Sequence, residues 1–123
     1  MTNDLQPFAL WTFVTPCRVP NDIEDMLVPG EGPVCAYKTI RDVAIFTNKR
    51  LIVRDAQGLT GKKVEIYTVP YSSIVMYSTE NSGKVLDANA EVELWTKVGR
   101  IKINLNKNVD IRQIDKVLAR YIL

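Results

Sequence analysis

Between Val34 and Asn106 apolar residues recur with period two in short segments, and each meets a turn signal of Gly, Pro, Asn or Asp before a helix-length pattern can begin. This spacing excludes parallel βαβ units, whose crossovers need about a dozen residues or more. It predicts seven antiparallel strands over residues 36–40, 43–47, 50–54, 64–69, 74–79, 90–97 and 100–106. Asn48-Lys49 turns the chain between two of them, Asn being tolerant of left-handed backbone. The last two strands carry the cleanest pattern. Val92, Leu94 and Thr96 alternate with Glu91, Glu93, Trp95 and Lys97, and Ile101, Ile103 and Leu105 alternate with Lys102, Asn104 and Asn106. One side of each is core and the other meets water, as in an antiparallel sheet wetted on one face. Pro70 has no amide donor, so the end of 64–69 is kept out of a central ladder position.

After Asn106 the period changes. Asp110 is an N-cap, Gln113 stands at the capping-box position, and Val109 with Ile114 fits the hydrophobic staple. Ile111, Ile114, Val117, Leu118, Tyr121 and Ile122 fall on one stripe, opposite Arg112, Gln113, Asp115, Lys116 and Arg120. A single amphipathic helix over 110–122 is expected to cover one opening of the sheet. Residues 1–20 differ: Phe8, Leu10, Trp11 and Phe13 lie between Pro7 and Pro16, and Pro20 follows. The prolines exclude one long helix. The segment reads as an extended aromatic arm that docks on its own barrel or on a neighbour, leaving 21–123 as a single domain. Asn21 is expected to cap a short helix over 22–27, stopped by Pro29-Gly30.

The available chemistry is narrow. A chain of 123 residues has room for one core. Sixteen Lys and Arg against 14 Asp and Glu leave a net charge of +2, too little for bulk attraction to nucleic acid or membrane. The absence of His removes His-based triads and His-containing zinc sites. Cys17 and Cys35 are too far apart for a C-x-x-C pair and read as two reduced thiols. The apolar run at 8–11 is too short for a secretory signal, and none approaches the roughly 18 residues of a membrane span. A cytoplasmic location is therefore expected.

The runs Tyr37-Lys38-Thr39-Ile40-Arg41-Asp42, Phe46-Thr47-Asn48-Lys49-Arg50-Leu51-Ile52, Gly58-Leu59-Thr60-Gly61-Lys62-Lys63 and Pro70-Tyr71-Ser72-Ser73-Ile74, with Asp110-Ile111 opening the last helix, resemble the bacterial pleckstrin-homology (PH) domain family of short proteins of unassigned function. The resemblance covers roughly residues 24–123. It implies a mainly β, PH-like barrel: seven antiparallel strands in two near-orthogonal sheets, with the open corner plugged by the helix at 110–122. It further implies cyclic homo-oligomers, a five-membered ring being the associated form, and no established catalytic activity. PH domains that bind inositol phosphates use a basic, extended loop between their first two strands. The corresponding Arg41-Asp42 connection is short and charge-neutral, which argues against carrying that binding over.

Lys49, Arg50, Lys62 and Lys63, with Arg54 nearby, form a candidate anion patch if the corners at 49–50 and 62–63 lie together; otherwise they are a solvated rim balanced by Asp55 and Glu65. Tyr71, Ile74 and Ile111 mark a candidate groove between sheet and helix for an extended peptide, and Trp95, opposite the core side, a candidate interface. Glu91 and Glu93 point the same way but read as a charged face paired with Lys97 and Lys102. Ser72-Ser73 has no base and reads as a turn, and Tyr67, Tyr71, Tyr77 and Trp95 read as sheet or interface aromatics before a nucleic-acid stacking platform. No enzyme activity, cofactor, metal or nucleic-acid partner is expected. The reading is a non-catalytic assembly or scaffold module, a cyclic homo-oligomer that binds a protein or peptide partner. Peripheral binding of anionic lipid or headgroup through the basic corners is the alternative.

Overall fold

The computed structural model describes residues 7–57, 63–81 and 90–123. In chain order it runs β1 (Ala9–Pro16), α1 (Asn21–Glu24), β2 (Pro33–Thr39), β3 (Val43–Thr47), β4 (Arg50–Gln57), β5 (Lys63–Pro70), a 3-10 turn (Tyr71–Ser73), β6 (Ile74–Asn81), β7 (Ala90–Thr96), β8 (Gly99–Leu105) and α2 (Ile111–Ile122). The strands form one sheet in the order β5-β4-β3-β2-β1-β8-β7-β6, whose two end strands do not pair with each other. The expected seven strands in two sheets are thus corrected to eight in one unclosed sheet.

The added strand is the aromatic segment before residue 20. β1 runs antiparallel to β2 from Phe13 opposite Thr39, and parallel to β8 from Ala9 opposite Ile101 to Phe13 opposite Leu105. It therefore joins the two halves of the sheet, through one parallel ladder that local spacing does not reveal. Burial and backbone pairing account for its place. Phe13 is fully buried, stacked on Tyr37 with ring centres 5.4 Å apart and edge-on to Phe46 at 6.1 Å. Water would penalise that apolar area at about 25 cal/mol per Å². Residues 9–16 consequently lie inside the sheet instead of forming an arm outside the domain.

Two apolar clusters sandwich the β2–β4 region. The interior holds Phe13, Tyr37, Phe46, Leu51, Leu94 and Leu105 beneath α2, and Ile23, Ala36, Val43, Ile45 and Ile52 form a second cluster on the opposite face. Segment 17–27 covers that face. Hence β3 is buried on both sides and carries the unbroken run Val43-Ala44-Ile45-Phe46-Thr47. α1 is shorter than expected, and Pro20, not Asn21, stands at its N-cap position.

Asp110 caps α2 by accepting the Arg112 amide at 2.9 Å, and Val109 and Ile114 are both buried as a staple requires. Gln113 departs from the capping-box expectation. Its Oε1 accepts the Tyr37 hydroxyl at 2.7 Å, which ties the helix to β2. Ile114, Val117 and Leu118 are buried against the sheet, Ile111, Tyr121 and Ile122 pack beside them, and Tyr121 stacks on Tyr71 at 5.9 Å. Among the described residues no helix is long and apolar enough to cross a membrane.

Candidate functional site

The expected basic patch is divided by strand register. Arg50 pairs with Pro70 and Gln57 with Lys63, so the corners sit at opposite ends of the β4–β5 ladder, roughly 23 Å apart at about 3.3 Å per residue. Lys49 and Lys63 are exposed, and Lys62 lies outside the described residues. Arg50 is held within the chain: Nε and Nη2 donate to Glu31 at 2.9 and 3.0 Å, and Nη1 donates to Thr68 at 3.1 Å. Arg54 donates twice to Asp42, at 3.0 Å each, and also meets Asp22. Both guanidiniums are thus part of the fold's own charge pairing.

Glu31 is the feature sequence reading missed. Its side chain is fully buried, and it accepts the Thr47 hydroxyl at 2.7 Å and the Val28 amide at 3.1 Å besides the two Arg50 bonds. The Thr47 hydroxyl in turn accepts the Lys49 and Arg50 amides. Asn48 shapes this corner with its side chain, accepting from the Gly32 amide and donating to the Gly30 carbonyl, and its backbone is not left-handed. A lone carboxylate between Gly30 and Gly32 was the available signal.

Of the residues expected to line a groove, Tyr71 and Ile74 are buried and Ile111 is half-buried. Tyr71 and Ile74 are core residues, Ile111 packs at the border of the same core, and the Tyr71 hydroxyl donates to the Thr47 carbonyl at 2.7 Å. Burial pushes the Tyr71 and Tyr37 phenols well above their usual values. Trp95 is half-buried on the far face of β7, directly opposite Met76 on β6. Glu91 pairs with Lys102 and Glu93 with Arg100, each at 3.0 Å, so Arg100 takes the place expected of Lys97. Ser73 closes the turn onto the Pro70 carbonyl at 2.7 Å. Cys17 and Cys35 are free thiols, both raised in pKa by burial.

The open concavity lies elsewhere, where β1 outruns β2. The β1–β2 ladder starts at Phe13, so residues 9–12 have β8 on one side and a cleft of about 580 Å³ on the other. Trp11, Val53 and Tyr67 wall it, with Ile40 and Leu10 exposed on the rim. The Trp11 and Tyr67 rings meet at 5.8 Å and 54°. Asp55 continues the inward stripe of Leu51 and Val53 into this cleft, directly opposite Glu65 on β5. Its Oδ1 is buried without a hydrogen-bond partner, and Arg41 Nη1 stops 3.8 Å away. Burial, then the Glu65 and Asp55 charges, push the Tyr67 phenol upward. A second cleft, of about 470 Å³, lies between Glu80, Glu91, Asn104 and Asn106.

The bacterial PH domain family matches residues 5–122. The uncharacterized protein YjqA of Bacillus subtilis (strain 168) is 38% identical over 104 residues, 82% of each chain. The uncharacterized YozO of the same organism is 29% identical over 100 residues, 81% of this chain and 86% of its own. A DUF1696 family protein with a PH domain from Shewanella loihica PV-4 superposes with a TM-score of 0.80 at 34% identity, covering 89% of this chain and 97% of its own. A PH domain from Shewanella amazonensis SB2B gives 0.67 at 38%, over 84% of each. Matched along almost its whole length in sequence and in fold, the chain belongs to the bacterial PH domain family.

Proposed function

We propose that the chain is a non-catalytic assembly module whose sheet edges join copies into a closed ring, and whose cleft beside β1 takes an extended peptide from a protein partner. The observation that carries this is the pair of unpaired edges on one sheet. On β5, Val64 and Ile66 are 49% and 46% exposed, and on β6, Val75 and Met76 are 67% and 53% exposed. Exposed apolar edge strands are templates for pairing with another chain. Because the two edges differ, the contact between copies is head to tail, and such contacts close into rings when the rotation permits. This supports the cyclic form. Trp95 beside Met76 adds aromatic surface at the β6 edge. In the cleft, the backbone of 9–12 faces away from β8 toward open space, which suits an added strand.

Lipid binding has less behind it, since Arg50 and Arg54 are paired internally and Lys49 stands far from Lys63. Size-exclusion chromatography with light scattering tests the assembly on the wild type, Ile66→Lys and Met76→Lys. One closed oligomer is expected for the wild type, and smaller species for both variants. A monomeric wild type at micromolar concentration, or a ring untouched by both charges, would remove the reading. Co-sedimentation with anionic vesicles that is lost in Lys49→Glu would favour the lipid alternative.

A further inference from the structure

We infer that the cleft beside β1 selects a basic side chain, so that its peptide occupant carries Lys or Arg at the position reaching Asp55. This rests on the peptide reading above and adds the chemistry of recognition. Asp55 and Glu65 face each other directly across the β4–β5 ladder, which gathers negative charge at this end of the cleft, and Glu65 accepts the Tyr67 hydroxyl at 3.2 Å. Asp55 offers a buried oxygen that accepts no hydrogen bond. Arg41 answers Asp55 only loosely, stopping at 3.8 Å with its side chain 60% exposed.

Trp11 and Tyr67 stand beside those carboxylates and supply ring faces for a cation, with Val53 to receive its alkyl stem. Carboxylate, aromatic wall and apolar floor together match an ammonium or guanidinium on a flexible chain, and they repel an acidic one. A strand laid along 9–12 turns alternate side chains inward and outward. With the basic residue inward, its two neighbours lie beside Leu10 and Ile40 on the rim, both exposed and apolar. The recognised pattern is therefore a basic residue flanked by apolar ones.

The test uses the full chain and capped nonapeptides of alternating Val and Thr with Lys, norleucine or Glu at the centre, titrated by calorimetry. The Lys peptide is expected to bind about tenfold tighter than the norleucine peptide, or about 1.4 kcal/mol, and the Glu peptide weakest. Asp55→Asn should erase the preference for Lys over norleucine, and a cooperative urea melt of the variant shows that it is folded. Arg41→Ala should widen the preference, since it removes the internal competitor. Equal binding of Lys and norleucine peptides overturns this inference and leaves the peptide groove standing. Binding of neither overturns both.

Discussion

Glu31 closes on Arg50 through two parallel hydrogen bonds, Nε to Oε2 at 2.9 Å and Nη2 to Oε1 at 3.0 Å, across nineteen positions of sequence. Bidentate geometry and burial make this pair stronger than a surface ion pair. Arg50, with Thr47 and the Val28 amide, lowers the Glu31 carboxyl from 4.5 to about 2. A carboxyl depressed in the folded state contributes stability that is complete above its unfolded value and lost as pH falls toward its folded one. The window thus runs from about pH 5 down to about pH 2, and the contribution is about 3 kcal/mol. Urea melts across that range should show wild-type stability falling with acid. Glu31→Gln should be less stable near neutrality by a similar amount and much flatter below pH 5; an unchanged slope in the variant contradicts the assignment.

The helix plug is fastened by a polar bond as well as by its apolar stripe. Tyr37 is fully buried, and its hydroxyl donates to Gln113 Oε1 at 2.7 Å. A hydrogen bond of this kind contributes about 1 kcal/mol net. Tyr37→Phe and Gln113→Ala should each cost about that much, and the double variant should cost less than their sum, with a coupling near 1 kcal/mol. Additive losses in denaturant melts would mean that the two side chains act independently.

What could be read from the sequence follows from the range of the interactions. β7, β8 and α2 were legible because alternation and capping are written within a few residues, as in Val92, Leu94 and Thr96 or in Val109, Asp110 and Ile114. β1 was not, because its prolines resemble those of a tail and its parallel partner begins at Ile101, far along the chain. The Glu31–Arg50 bond was missed for the same reason. Tyr71 and Ile74 differ again: the period placed them on the core face, but not how closely α2 would pack there, where Tyr121 stacks on Tyr71. Asp55 was read as balancing a basic rim, whereas its position on the inward stripe of β4 places it in the cleft.

Gly99 begins β8 at a φ of 151°, and a Cβ there would lie 2.8 Å from the Cβ of Phe8. Backbone strain and steric overlap therefore act together, and Gly99→Ala should destabilise by about 2 kcal/mol. Since the overlap is with the Cβ, Phe8→Ala in the same chain should give no relief. Phe8→Gly should recover only part of the loss, because the φ cost remains. Thermal melts of the three variants decide this; full rescue by Phe8→Ala would show that only the ring is in the way.

β1 bears on the whole sheet because it is the strand between the two halves. Removing residues 1–16 takes away the partner of both β2 and β8 and the fully buried Phe13. An appended arm would be dispensable, whereas a central strand leaves two rows of unpaired amides and carbonyls in its place. The truncated chain should lose its cooperative thermal transition and bind a hydrophobic dye. Phe13→Ala is the milder probe, retaining the backbone ladders while emptying the ring's place between Tyr37 and Phe46, and should cost about 3–5 kcal/mol. A truncated chain that melts cooperatively at the wild-type temperature would show that the halves hold together without β1.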